Sequence, residues 1–229
     1  MFEAASGVRA DFDRIALLAD EGWDHSAQYH DFLLRRVPSP CGEALEVGCG
    51  SGAFSRLLAG AARRVVALDL SPNMIRVARE RSAAFPNIEF RVTDVLESEL
   101  PAEGFDCVVT VATLHHLPPA AALLKMKGAL KPGGVLLILD LFRPAGPFDA
   151  ALSALAAPAG AGLRLLRQGR LRAPREVRRA WAEHGRRDTY LTLAGARELY
   201  ARLLPGAEVR RRLLWRYSVV WRKGRRALT

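Results

Sequence analysis

At 229 residues, half of them hydrophobic, the chain is long enough for one full core, and no run of 18 apolar residues marks a membrane-spanning helix. Its net charge of +10 is uneven: residues 1–140 carry 14 basic and 18 acidic side chains, whereas residues 141–229 carry 20 and 6. Cys41, Cys49 and Cys107 are too few and too scattered for a disulfide framework. The start, with Glu3, Asp11 and Asp13, lacks the apolar segment of a signal peptide, so a cytoplasmic location is expected.

Residues 9–37 read as one or two helices. Phe12, Ile15, Ala16, Leu18 and Ala19 recur at helical spacing, Gly22 and Trp23 break the pattern, and Tyr29, Phe32 and Leu33 resume it. Pro38 and Pro40 end it. The chain then alternates: strand 43–48, helix 52–61, strand 64–69, helix 72–84, strand 88–93, strand 105–111, helix 119–130, strand 134–140. This alternation predicts an α/β fold with a parallel sheet and helices on both faces. The apolar runs 65–68 and 135–139 suit strands buried on both faces. Ser71-Pro72 offers an N-cap followed by proline at the first helical position.

Beyond residue 140 the pattern loosens. A short apolar helix is expected near 148–157, and an Arg-rich, partly helical stretch over 164–187, with Pro174 as a helix start. Thr192 caps a helix through 204, and 207–213 and 215–221 read as two tightly joined strands.

Three acidic residues stand just past predicted strands: Glu46, Asp69 and Asp94. In an open α/β sheet the ligand crevice lies outside the carboxyl ends of the strands, so all three are expected to face it. Gly48-x-Gly50-x-x-Ala53 also fits a loose dinucleotide fingerprint. Glu46 argues against that reading, because a carboxylate there would repel a pyrophosphate seated on the glycine loop. S-adenosylmethionine (SAM) has no phosphate and carries a sulfonium and an ammonium, which an acidic crevice suits. Glycines at 48, 50 and 52 let the backbone approach such a ligand.

Residues 43–140 resemble a class I SAM-dependent methyltransferase. Glu46-Val47-Gly48-Cys49-Gly50-Ser51-Gly52 is similar to that family's first motif, and Val66–Met74 to its second strand and adenosine-binding turn. Phe105–Thr110 resembles its fourth strand, and Leu130–Leu136 the turn into its fifth. The resemblance implies a Rossmann-like, mostly parallel seven-stranded sheet with an antiparallel last strand and an N-terminal helical lid. It implies a single domain: lid 1–40, SAM-binding core 41–140, an insertion over 141–193 forming the acceptor pocket, and a helix with a strand pair over 194–229. SAM is then the cofactor, held by Glu46, Gly48, Cys49, Gly50, Gly52, Asp69, Leu70, Met74, Asp94, Val95 and Val111. Asp69 would take the ribose hydroxyls and Asp94 the adenine amino group. Leu70 and Met74 would pack against adenine, and Cys49 would fill space rather than act as a nucleophile.

The sulfonium is a good leaving group, so the protein mainly aligns the partners, and a base is needed only for a protonated nucleophile. His115 and His116, after the fourth strand, are the candidates; the alternative is that one braces the loop and the other is exposed. The loop lacks the Asp/Asn-Pro-Pro-Tyr/Phe run common in enzymes that methylate exocyclic or amide nitrogens. Trp23, Tyr29 and His30 either contact SAM or substrate, or dock a helix on the core. Arg143 could pair with an anionic acceptor group, and Phe148, with Phe142, Leu152 and Leu155, could line the pocket.

No Cys/His spacing suggests zinc, and no acidic cluster outside the strand ends suggests another metal. The nine arginines of 164–187 could serve RNA, an anionic substrate, or only a solvated face. The expected activity is methyl transfer to O, N or C of a small organic metabolite. The rivals are an RNA methyltransferase that uses the basic half, an enzyme of the same fold that cyclises SAM, and a non-catalytic SAM-binding protein.

Overall fold

A computed structural model of the chain describes residues 2–18, 26–147, 174–186 and 188–225, with 149, 152, 154, 158, 160, 162, 165, 166 and 169 between them. Seven strands form one sheet: β1 (Glu43–Val47), β2 (Arg64–Asp69), β3 (Ile88–Val92), β4 (Phe105–Val111), β5 (Leu130–Leu141), β6 (Glu208–Arg212) and β7 (Arg216–Arg222). Their order is β3-β2-β1-β4-β5-β7-β6. Pairs among β1 to β5 are parallel, and β7 runs antiparallel to β5 and β6. The order turns back between β1 and β4, where an open sheet forms its ligand crevice.

Alternation along the strands sends side chains to opposite faces. Leu45, Val66, Val108, Leu136 and Ile138 pack with α5 (Pro119–Ala129) and the later helix α7 (Leu193–Leu203). Ala44, Val65, Ala67, Val109 and Leu137 pack with α3 (Ala53–Ala59) and α4 (Pro72–Arg81). The caps form as the sequence suggests. Ser71 accepts the Met74 amide at 3.1 Å, and Thr192 accepts the Gly195 amide at 3.1 Å.

The predicted helical region before β1 divides into α1 (Phe2–Leu18) and α2 (His30–Leu34), the latter preceded by a 3₁₀ turn over Ala27–Tyr29. β5 starts four residues earlier than the sequence suggests, because Leu130 already pairs with Phe105 before the register shifts toward Cys107. Pro174 caps α6 (Arg175–His184). No helix among the described residues is long and apolar enough to cross a membrane. The expected helix at 148–157 is only partly covered by the described residues, and all four arginines between 164 and 173 lie outside them.

Candidate active site

Two neighbouring regions gather the chemistry at the carboxyl ends of the strands. The first is the glycine loop after β1. The loop's Gly48 and Cys49 amides both donate to the Leu68 carbonyl, at 2.8 and 2.9 Å. Gly48 is left-handed (φ +74°), and a Cβ there would lie 2.1 Å from Thr113 Oγ1. Gly50 has open space where a Cβ would stand, which leaves its backbone accessible to a ligand. Asp69, at the end of β2, holds the loop: its Oδ2 accepts the Gly50 amide at 2.8 Å, and its Oδ1 accepts the Ser71 amide at 2.9 Å. Both carboxylate oxygens are thereby aimed.

Glu46 departs from the expected picture of three carboxylates on an open crevice. It is only 1% exposed, and Ser55 of α3 donates to its Oε2 at 2.5 Å. Burial is the main cause that pushes its pKa up to about 8, with the nearby Asp69 charge adding to the effect. Burial also raises Asp69, against the amides of Ser71 and Gly50, which lower it. Burial leaves Cys49 with a thiol pKa well above its ordinary value, which keeps it protonated and unreactive.

Other residues expected around the cofactor also have packing partners. Gly52 is left-handed (φ +77°), and a Cβ there would meet Phe90 and Ala78 at 3.1 and 3.2 Å. Met74 packs with Ile15 and Ala16 of α1 and Ala180 of α6. Asp94 is half-buried and its Oδ1 accepts the Leu96 amide at 2.8 Å. Val95 belongs to the core, and Val111 packs at the core's edge. Leu70 is half-buried beside Asp69.

The second region lies at the ends of β4 and β5. Thr113 Oγ1 shares its proton between the Val111 carbonyl at 3.0 Å and the Gly48 carbonyl at 3.3 Å and packs directly on Gly48, so the loop carrying His115 and His116 is tied to the glycine loop. His115 Nδ1 is 2.6 Å from Asp140 Oδ1, and both side chains are nearly fully buried. Asp188 approaches from the segment after α6. Its Oδ1 lies 3.1 Å from His116 Nδ1 and 3.7 Å from His184 Nε2, and its Oδ2 accepts the Tyr190 hydroxyl at 2.6 Å. Burial opposes the charge on Asp188, but the approach of His116 and the Tyr190 hydroxyl outweigh it and hold the pKa at about 2. Burial lowers His116, and the Asp188 carboxylate pulls it back up.

α1 closes this region. Asp11 stands 3.3 Å from His184 Nδ1, and the Phe12 ring meets His184 and His116 edge-on at 4.7 and 5.4 Å. Asp13 accepts the Ser71 hydroxyl at 2.5 Å and the Asn73 amide at 3.2 Å, which pins α1 to the start of α4. A cavity of about 640 Å³ opens against His115, His116, Asp140, Asp188, Leu117 and Tyr217.

Of the residues assigned to substrate or lid, His30 meets Phe54 of α3 edge-on at 5.0 Å, next to the glycine loop. Tyr29 points elsewhere and donates to the Leu213 carbonyl at 3.1 Å. Arg143 is exposed, and its amide donates to the Leu191 carbonyl at 2.8 Å. Phe142 and Leu152 border a separate space of about 10 Å³ beside Asp149 and Arg211, not the large cavity, because Arg211 pairs with Asp149 and fills that corner. Trp23, Phe148 and Leu155 lie outside the described residues. The described arginines of α6 (Arg175, Arg178 and Arg179) are exposed, while Ala180 and His184 face inward.

Sequence reasoning missed Asp140, Asp188, His184 and Thr113. Asp140 carried a readable signal, since it ends a predicted strand as Asp69 does. Asp188 and His184 carried none, because they meet the histidine pair only through the fold.

Comparison with known proteins agrees with this geometry. Residues 45–138 match a methyltransferase domain family. The chain is 31% identical over 204 residues to an uncharacterized methyltransferase of Mycobacterium bovis, covering 89% of this chain and 98% of that one. It is 33% identical over 158 residues to a ubiquinone biosynthesis O-methyltransferase of Xanthomonas campestris, over 63% of this chain and 66% of the relative. The N-methyltransferase NodS of Bradyrhizobium japonicum, solved with S-adenosylhomocysteine (SAH), superposes with a TM-score of 0.62 at 22% identity, covering 94% of this chain and 98% of that one. The glycine loop held by Asp69, the strand order and these relatives together show that the chain belongs to the class I SAM-dependent methyltransferases.

Proposed function

We propose that this methyltransferase moves the methyl group of SAM to a hydroxyl oxygen of a small organic acceptor held in the 640 Å³ cavity. The observation that carries the reading is the Thr113–Gly48 tie, which sets the His115–Asp140 pair beside the cofactor loop. Asp69 receives the ribose hydroxyls, with its oxygens already oriented by the Gly50 and Ser71 amides. Gly48, Cys49 and Gly50 give the cofactor a close backbone wall, with Leu70, Asp94, Val95 and Val111 around adenosine. Glu46 takes the ammonium once the cofactor reaches it. Residues 1–40 and 141–193 contribute the cavity's outer wall through α1, Asp188 and Leu191.

A hydroxyl arrives protonated at neutral pH, so its proton must be handled before attack. His115 and His116 are the groups that activate it. Attack then forms the O–CH₃ bond as the C–S bond breaks, and the sulfur keeps the electron pair as SAH. Alignment of the two reactants can supply roughly 7–11 kcal/mol of the barrier reduction. The cavity volume falls in the small-molecule range. The resemblance to a ubiquinone-pathway O-methyltransferase supports oxygen as the acceptor atom.

The test is to incubate the chain with SAM and panels of phenols, hydroxy acids and amines, measuring SAH and locating the new methyl by NMR. O-methyl products are expected. Methyl transfer only to nitrogen or to RNA, or release of methylthioadenosine in place of SAH, would refute the assignment.

A further inference from the structure

We propose that His115, His116 and Asp188 bind one divalent first-row transition-metal ion on the wall of the acceptor cavity. One ligand atom from each side chain lies within 4.8 Å of the other two. Asp188 Oδ1 is 3.1 Å from His116 Nδ1, and Oδ2 is 3.9 Å from His115 Nε2. Two ligands at about 2.1 Å from one ion stand about 3.0 Å apart at a right angle and about 3.4 Å apart at a tetrahedral angle. The His116–Asp188 pair already has that spacing, and the wider separations in the set, within 4.8 Å, close inward when one ion is bound.

An independent observation points to a ligand. The His116 side chain is 6% exposed, and its Nδ1 faces Asp188 Oδ1 at 3.1 Å without the alignment of a full hydrogen bond. A buried ring nitrogen without a well-aligned partner is costly. A lone pair directed at a metal removes that cost.

The surroundings match the outer shell of a metal centre. Metal-binding histidines commonly present their other ring nitrogen to a carboxylate, which fixes the tautomer and raises ligand basicity. His115 does this through Nδ1 and Asp140 Oδ1 at 2.6 Å, leaving Nε2 toward Asp188. Asp188 is steadied by the Tyr190 hydroxyl at 2.6 Å. His184, whose Nε2 is 3.7 Å from Asp188 Oδ1, repeats the pattern through Asp11.

Two imidazoles and one carboxylate suit Zn²⁺, Fe²⁺, Co²⁺ or Mn²⁺ and leave positions open. Those positions border the cavity. The inference rests on that cavity being the acceptor site and narrows the acceptor to molecules that offer a hydroxyl oxygen to the metal, such as phenols or 2-hydroxy acids. The bound hydroxyl gives its proton to solvent, and the resulting oxyanion attacks the methyl carbon. The products are the methyl ether, SAH and one proton.

The probe is Co²⁺, added to the full chain after chelator treatment and followed by its visible d–d absorption, with SAH binding measured on the same samples. About one Co²⁺ per chain is expected. Asp188→Asn and His116→Ala should weaken uptake at least ~100-fold, and Asp140→Asn about 10–100-fold. Unchanged SAH affinity certifies that each variant is folded. If the wild-type chain takes up no Co²⁺ beyond the level of Asp188→Asn while SAH still binds, the metal site is overturned and the methyltransferase reading stands. If methyl transfer to a hydroxyl fails while stoichiometric Co²⁺ binding persists, the metal site stands and the acceptor reading falls.

Discussion

The two halves of the candidate site are built in opposite ways. The cofactor loop is mostly local: Glu46 through Asp69 spans 24 residues, and its backbone hydrogen bonds run between β1, its loop and the end of β2, with Thr113 packed against Gly48 from the loop after β4. The histidine region is assembled from distant segments, with α1 supplying Asp11 and Phe12, β4 leading to His115 and His116, β5 ending in Asp140, and α6 and its exit giving His184 and Asp188. A local site tolerates change elsewhere in the chain. An assembled one depends on every element that delivers a residue to it.

Gly48→Val should erase the comparison by breaking both halves at once. Its side chain would occupy the place of Thr113, and its left-handed backbone suits only glycine. Steric and backbone strain together predict a loss of about 3 kcal/mol or more, read as a lower denaturation midpoint and loss of SAH binding. His115→Ala should strike the assembled half alone. Its kcat should fall ~10²–10⁴-fold with the SAH dissociation constant unchanged; a parallel loss of SAH affinity would show that the two halves are one.

Asp69→Ala is the converse. Two charged hydrogen bonds to ribose, each worth about 1.5–3 kcal/mol, predict at least ~10-fold weaker SAH binding, while Co²⁺ uptake at the histidines persists. Calorimetry and absorption on one sample decide it.

Glu46 sharpens the comparison through pH. Its folded pKa of about 8 exceeds its ordinary 4.5, so the folded chain holds a proton that the unfolded chain releases. That contribution to stability is fully present below about 4.5 and is lost as pH rises to about 8. A ligand ammonium that meets Glu46 must expel this proton. SAH binding at pH 7 should therefore release about one proton, seen as a binding enthalpy that depends on the buffer's ionisation heat. Glu46→Gln should abolish the release. The smallest effect belongs to the outer face of α6: Arg178→Ala should leave melting temperature and turnover unchanged. Tight RNA binding that weakens steeply with salt and depends on Arg178 would instead give the basic half a nucleic-acid role.

The sheet, its order of elements and the cofactor loop were legible because each is written in short-range patterns. Apolar runs of strand length, a Ser-Pro cap and clustered glycines all declare themselves within a few residues. The packing around Gly52 and Met74 was not legible for the same reason, since a motif position does not announce Phe90 or α1 beside it. Glu46 was legible as a strand-end carboxylate, but its burial under Ser55 was not. The histidine pair was legible as chemistry and illegible as a site. Asp188 lies 72 residues beyond His116 with no spacing rule between them, and α6 was legible as a helix starting at Pro174 but not as a wall of this site.

β7 has a consequence for how the molecule comes to exist. It lies between β5 and β6, so the sheet is completed only when the last strand threads beside β5. The same stretch reaches back to the other end of the chain: the Tyr29 hydroxyl donates to the Leu213 carbonyl at 3.1 Å, and Arg216 Nε donates to Ser26 Oγ at 3.3 Å. During synthesis, residues 26–29 therefore wait nearly the full length of the chain for their partners. Long-range closure of this kind is slow relative to local folding. The cofactor loop, whose strands emerge early, can form while the nascent chain is still growing. The 640 Å³ cavity, with Tyr217 in its wall, closes only after β7 leaves the ribosome.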